Sequence, residues 1–256
     1  MSWARQIHIK SPADLQIMRE AGRINAGVLA VVKDCLNPGV STADLNAAAE
    51  EVLKKHRCVS PFKGYGRPPF PSSITVSINR ELVHGIPSRT RKLKPGDIVS
   101  VDCGTVLDGF VADSAFTAGV GSISPEAQKL LDVTQGALNA AIEKMRVGNR
   151  TGDVSAAIQN HVESRGYYVT REYTGHGVGR QMHEGPQVPN YGKPGSGIAL
   201  KPGMTIALEP MVLIGTAETR VLQDQWTVVS ADGSLTAHFE HSVAVTEGEP
   251  LILTVP

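Results

Sequence analysis

The chain has 256 residues, 41% hydrophobic and 20% charged, with 25 basic residues against 25 acidic ones. That length allows a substantial core, as one large α/β or α+β unit or as two halves. A net charge near zero supplies no field for a polyanion, so neither nucleic acid nor an anionic membrane is expected as the main partner; a small molecule or a peptide suits it better.

Met1 to Lys10 carries Arg5, His8 and Lys10 among its apolar residues. It lacks a continuous apolar stretch, so no secretory signal is expected. No later run approaches the ~18 apolar residues a membrane helix needs. Ser11–Pro12 reads as a helix start, with Ser as N-cap and Pro in the first turn. Behind it Leu15, Met18, Ala21, Ile24, Val28 and Val31 recur every three or four residues and predict an amphipathic helix that stops before Asn37–Pro38–Gly39. A second helix is expected from near Thr42, burying Leu45, Ala48, Ala49 and Val52. Cys35, Cys58 and Cys103 form no C-x-x-C pair and cannot all be bridged within one chain, which favours a reducing cytoplasm.

A Pro- and Gly-rich loop, Pro61 to Pro71, leads to a strand at Ile74 to Ile78. Two strand-like runs, Ile98–Gly104 and Phe110–Thr117, then flank Asp108–Gly109, a hairpin-turn dipeptide. A two-residue turn there pairs Leu107 with Phe110 and puts Gly104 opposite Asp113. Alternation then sends Asp102 and Asp113 to the same face as diagonal neighbours, roughly 7–8 Å apart. That spacing suits two cations ~3.5–4 Å apart.

Ser124–Pro125 opens another helix, with Leu130, Leu131, Ala137, Leu138, Ala141, Ile142 and Met145 as its apolar face. A Gly-containing turn and a Thr-capped helix at Thr151 follow. Val147–Gly148 to Asp153–Val154 echoes Pro38–Gly39 to Asp44–Leu45, and Leu200–Lys201–Pro202–Gly203 echoes Leu93–Lys94–Pro95–Gly96. The offset is about 109 residues at the helices and about 107 at the strands, which we read as an internal duplication. Asp102 and Glu209 then occupy corresponding places in two halves, with a metal site on the axis between them.

His176 lies in the Gly-rich run Tyr173 to Gly179, His84 in Val83–His84–Gly85–Ile86–Pro87, and His183 in Met182–His183–Glu184–Gly185–Pro186. Histidines on such turns make good substrate contacts and proton donors. Glu209 closes the apolar strand Thr205 to Leu208, and Glu240 sits in the strand-like run Thr236 to Val245. Neither acid has a cationic neighbour in sequence. Each needs a metal or a distant Lys or Arg if it is buried. His8, His56 and His161 read as surface or packing residues, while His238 and His241, flanking Glu240, stay unassigned.

In combination, Val83 to Pro87, Leu93 to Asp102, Asp108 to Asp113, Gly175–His176–Gly177, Glu209–Pro210 and Phe239–Glu240–His241 closely resemble the type I methionine aminopeptidases, over essentially Ser11 to Glu247. The resemblance implies the α+β "pita-bread" (creatinase/aminopeptidase-like) fold: pseudo-symmetric halves, about 11–117 and 124–247, an antiparallel sheet and flanking helices in one domain spanning 1–256. It implies that Asp102, Asp113, His176, Glu209 and Glu240 ligate two divalent cations (Mn, Fe, Co or Zn), a donor set that does not choose among them. Such a pair activates water and polarises the scissile carbonyl, and the substrate's free α-amino group on the second ion restricts cleavage to the first residue.

By the same resemblance His84 and His183 contact the peptide near its scissile bond, and Glu209 handles the protons of the attacking water. Phe62, Tyr65, Phe70 and Trp226, with Thr75 and Met182 nearby, form the methionine pocket. The implied activity is co-translational removal of N-terminal methionine from nascent proteins, favouring a small second residue. The implied setting is a cytoplasmic monomer, with ribosome association left open. No Cys/His-rich N-terminal extension is present, and 30 residues separate Glu209 from Glu240, which suits the compact bacterial form. The alternatives are a proline-specific aminopeptidase or dipeptidase of the same fold, and a catalytically inactive binding protein on this scaffold.

Overall fold

The structure is a computed structural model that describes residues 6–256. The reading of Met1 to Lys10 as lacking a secretory signal thus falls partly outside the described residues. Helix α1, Pro12–Asp34, begins in a capping box in which Ser11 and Asp14 satisfy each other's backbone amides. Its buried stripe runs Met18, Ala21, Ile24, Asn25, Val28, Leu29, Val32. Val31, expected on that stripe, is exposed, because the 100° step per residue rotates Leu29 and Val32 inward instead. Helix α2, Thr42–Lys55, starts from a second capping box, Ser41 with Asp44.

Helix α3, Pro125–Glu143, is capped by Ser124. Helix α4, Thr151–Glu163, has Thr151 as its first helical residue rather than its cap; Arg150 holds the cap position, and its amide donates to the Asp153 carboxylate at 2.8 Å. The segments that echo each other in sequence also make matching contacts. Ser41 bridges Lys92 as Arg150 bridges Ala199, and the amides of Leu93 and Leu200 donate to the carbonyls of Val40 and Asn149, both at 2.9 Å.

The main sheet is antiparallel, in the order Ile74–Ile78, Ile98–Leu107, Phe110–Gly119, Glu240–Ala244, Thr205–Leu208, Thr174–Gly177, Glu184–Pro189, with Leu251–Ile252 paired to the fourth. Its centre is the pairing of Phe110–Gly119 with Glu240–Ala244. The run expected as one strand from Thr236 to Val245 is two. Thr236–His238 joins a small sheet with Met211–Leu213 and Tyr168–Val169, and after Phe239 the chain enters the main sheet at Glu240. No helix among the described residues is long and apolar enough to cross a membrane.

The hairpin has the expected register: Leu107 faces Phe110 and Gly104 faces Asp113. Asp108 and Gly109 both take positive φ, 49° and 77°, the backbone of the turn type that matches strand twist. Val99, Val101 and Cys103 pack with Ile24, Val28, Leu45 and Ala49 of α1 and α2, so alternation turns Ser100, Asp102 and Gly104 to the opposite face. Asn25, fully buried on α1, ties the helix to both strands. Its amide donates to the Cys103 carbonyl and to Thr105 Oγ1, and its carbonyl accepts from Ser114 Oγ. The acid-bearing hairpin is thereby fixed from behind.

Asn25→Ala should lower the unfolding free energy by about 1–3 kcal/mol for each buried polar group it strands. Urea unfolding measures this, and an unchanged midpoint would show that the hub is dispensable.

Candidate metal centre and its cavity

Sheet register assembles the acidic residues. One row across four strands reads Thr75, Asp102, Ala115, Glu240, and the small Ala115 leaves space between the two carboxylates. Asp113 lies two residues before Ala115 and therefore shares its face. From the other side, the adjacent strands Thr174–Gly177 and Thr205–Leu208 bring His176, paired with Ala207, and Glu209, the residue after Leu208. Atoms of Asp113, His176 and Glu240 that could ligate one ion all lie within 4.8 Å of one another. His176 Nε2 is 3.3 Å from Glu209 Oε1.

All five predicted ligands thus converge. Among the described residues, no Lys or Arg pairs with any of the four acids, so the competing explanation by distant basic partners does not hold. Asp102 Oδ1, Asp113 Oδ1 and Glu240 Oε1 are buried without a hydrogen-bond partner. Four acids, two buried and two reaching the cavity, and an imidazole, with lone pairs left over and no Lys or Arg beside them among the described residues, fit a divalent-metal site.

The electrostatics follow from this crowding. Burial, then the Asp113 and Glu209 carboxylates, hold Asp102 well above the ordinary carboxylate range. Burial pushes Asp113 up to about 7. Glu209 is raised by burial and then by Asp113; Glu240 is raised by burial and then by Asp113, Asp102 and Glu209. The histidines shift the other way because an imidazolium is equally hard to bury. His176 and His84 fall to about 4, and His183 falls to about 2 through burial and then through His176 and His84. Each is a neutral imidazole at neutral pH.

Above the acids opens a cavity of about 340 Å³. Asp102, His176 and Glu209 reach its floor, while Asp113 and Glu240 lie buried beneath. His84, His183, Phe62, Tyr65, Phe70, Thr75, Met182 and Trp226 all line it. Phe70 and Trp226 meet edge to face at 5.2 Å, and Trp226 Nε1 donates to the Pro68 carbonyl at 3.1 Å. Tyr65, 40% exposed, stands at the rim with its hydroxyl 2.6 Å from His183 Nδ1. His84 adopts φ 62°, an uncommon conformation for a non-glycine residue, and one that clusters at functional sites.

Sequence reasoning missed several residues here. Glu172, Thr174 and Gln187 line the cavity, and Tyr173 packs its ring edge to face with His84 at 5.8 Å. For Glu172, Tyr173 and Thr174 adjacency to His176 in an extended stretch was the available signal, whereas Gln187 arrives through strand pairing opposite His176. His238, left unassigned, places Nε2 3.8 Å from Glu240 and 3.9 Å from Glu209. Burial, then His84, drops it to about 3. Its companion His241 points elsewhere, to Thr254 Oγ1 at 2.8 Å.

Residues 16–247 match the metallopeptidase family M24. The chain is 49% identical to a methionine aminopeptidase of Clostridium acetobutylicum over 249 residues, covering 97% of this chain and 99% of that protein. The crystal structure of methionine aminopeptidase from Thermotoga maritima superposes with a TM-score of 0.96 at 44% identity, covering 98% and 100% of the two chains. The prolidase of Pyrococcus horikoshii shares the fold alone, with a TM-score of 0.77 at 21% identity, covering 96% of this chain and 63% of its own. With its buried acids, its neutral histidines and likeness along its whole length, the chain belongs to metallopeptidase family M24, in the methionine aminopeptidase branch.

Proposed function

We propose that this protein removes N-terminal methionine from peptides and nascent chains, with Asp102, Asp113, His176, Glu209 and Glu240 holding two divalent cations. The observation that carries the reading is the convergence of those five side chains at and beneath the floor of the cavity, with no Lys or Arg pairing with the acids among the described residues. Bound there, divalent cations supply an activated water near neutral pH and a polarised carbonyl. Mn, Fe, Co and Zn all suit the donors.

The chain's own groups do the rest. Glu209 reaches both the acid cluster and the cavity, so its carboxylate takes the proton of the attacking water and returns it to the leaving amine. His84 and His183, neutral through burial, donate hydrogen bonds to the peptide near the scissile bond. Phe62, Phe70 and Trp226, with Thr75, Tyr65 and Met182, enclose a flexible, polarisable methionine side chain. The matching bridges at Ser41 and Arg150 support one domain, 1–256, built from halves of about 11–117 and 124–247. Three free cysteines suit a cytoplasmic enzyme. A monomeric state and ribosome association belong to the same proposal and are read by sedimentation.

Offered Met–Ala–Ser and an X–Pro peptide with Mn or Co, the enzyme should release methionine, preferring a small second residue; faster release from the X–Pro peptide would reject the assignment. Asp113→Asn should cut turnover sharply while the protein stays folded, and near-normal activity would count against a five-ligand dinuclear centre. Calorimetry of the chelated protein that showed no divalent-cation binding would favour an inactive binding protein.

Stability should respond to pH with a definite sign. The raised acids keep protons in the native state that the unfolded chain releases, so their contribution is lost as pH rises through their folded pKa values. The buried histidines oppose this only below about 6.5, where the unfolded chain begins to protonate. From about pH 6.5 upward the metal-free protein should therefore melt at falling temperatures, and added cation should raise its melting point more at pH 8 than at pH 6.5. A metal-free melting temperature that rises across this window would contradict the argument.

A further inference from the structure

The segment before α1 carries a charge that the chemistry above does not use. Lys10 is 6% exposed, and its Nζ lies 2.5 Å from Glu184 Oε2, with both side chains almost fully buried. The ammonium also donates to the His8 carbonyl at 3.0 Å. The other oxygen of Glu184 accepts the Gln181 amide at 3.2 Å. A buried ion pair of this kind is weak evidence for stability, because apolar side chains of similar volume often serve as well. Its placement offers another reason for it.

Glu184 follows Met182 and His183 directly, so the pair grips the loop that carries both. Gly179 closes the same loop around it. A Cβ there would lie 2.4 Å from Lys10 Cε and 2.6 Å from Glu184 Oε1, so only glycine lets the loop pack this tightly. The backbone adds two ties: Ile7 bridges Gly185, and the Gly185 amide donates to the Gln6 carbonyl at 3.0 Å. The Lys10 amide donates to the Gly203 carbonyl at 2.8 Å, at the turn that launches the strand ending before Glu209.

We infer that the buried Lys10–Glu184 pair is a positioning device for the proposed reaction, locking residues 178–184 so that His183 is held over the cavity at a fixed distance from the acid cluster. The inference rests on the reading of His183 as a substrate-contacting residue. His183 is anchored on one side by the Tyr65 hydroxyl and on the other by the backbone that Glu184 pins. Without the pair, the imidazole would be placed by the Tyr65 hydroxyl on an exposed rim, its ring contact with His176 and the loop's backbone ties, and a displacement of about 1 Å costs on the order of 10²-fold in rate. Lys10 and Glu184 touch no reacting atom, so they position and do not catalyse.

The test is the variant K10M/E184M, which removes both charges and strands neither. Its melting temperature should stay near that of the parent, while kcat falls by about 10–100-fold with KM little changed. H183A should lose at least as much, and K10M/E184M/H183A should be no slower than H183A, because the pair acts through that imidazole. A folded K10M/E184M enzyme with parental kcat would overturn the inference, as would losses that multiply in the triple variant. If K10M/E184M does not fold, K10Q/E184Q removes both charges while keeping polar side chains of similar shape, and its kcat decides in the same way. Parental kcat in H183A would instead defeat the assignment of His183 itself, and is distinguishable because that variant leaves the pair intact.

Discussion

Like-charged carboxylates crowded together out of water dominate this structure. Asp102, Asp113, Glu209 and Glu240 face one another with, among the described residues, no Lys or Arg paired to them. In an apolar interior that arrangement is favourable only when protons or cations neutralise it. Without cations the protein answers with protons, which is why all four acids shift upward. With divalent cations the same repulsion would become affinity, since Asp102 Oδ1, Asp113 Oδ1 and Glu240 Oε1 each carry lone pairs without a hydrogen-bond partner.

Holding such a cluster requires a frame that does not relax. Part of the rigidity is local: a tight hairpin with two left-handed residues sets the phase of Asp102 against Asp113. Part comes from packing, where Asn25 locks that hairpin to α1 and the row Thr75–Asp102–Ala115–Glu240 fixes the spacing across the sheet. The histidine-bearing loop has no regular structure before Glu184 and depends on other anchors, namely the segment 6–10, Gly179 and the Tyr65 hydroxyl. The floor of the site is thus built by sheet register and its wall by long-range ties. The two respond differently to substitution, since register is shared by many backbone bonds and the wall rests on a few side chains.

Much of the frame was legible in the residues themselves. Ser–Pro starts, capping residues and 3.6-residue periodicity located the helices, and the Asp108–Gly109 turn fixed the hairpin register because a two-residue loop permits few alternatives. The reading faltered where two local signals agreed while tertiary context separated them. The run Thr236 to Val245 is uniformly strand-like in composition, yet it divides at Phe239 between two sheets, and no propensity marks that break. Val31 fits a helical spacing as well as Leu29 does, and only packing against the sheet decides which of them is covered.

By itself the sequence determined the four helices, the turn that pairs two acids, and the set of residue types that make a metallopeptidase recognisable, because each depends on chemistry within a few positions of the chain. Tertiary structure decided which imidazoles reach the cluster, admitting His238 and sending His241 to Thr254. It also decided that Lys10 is buried against Glu184, 174 positions away. The physical reason is separation. Capping, turns and alternation act over a few residues, whereas the partner of a buried charge is chosen by how strands and helices close around it, and in one sequence that choice leaves no local trace.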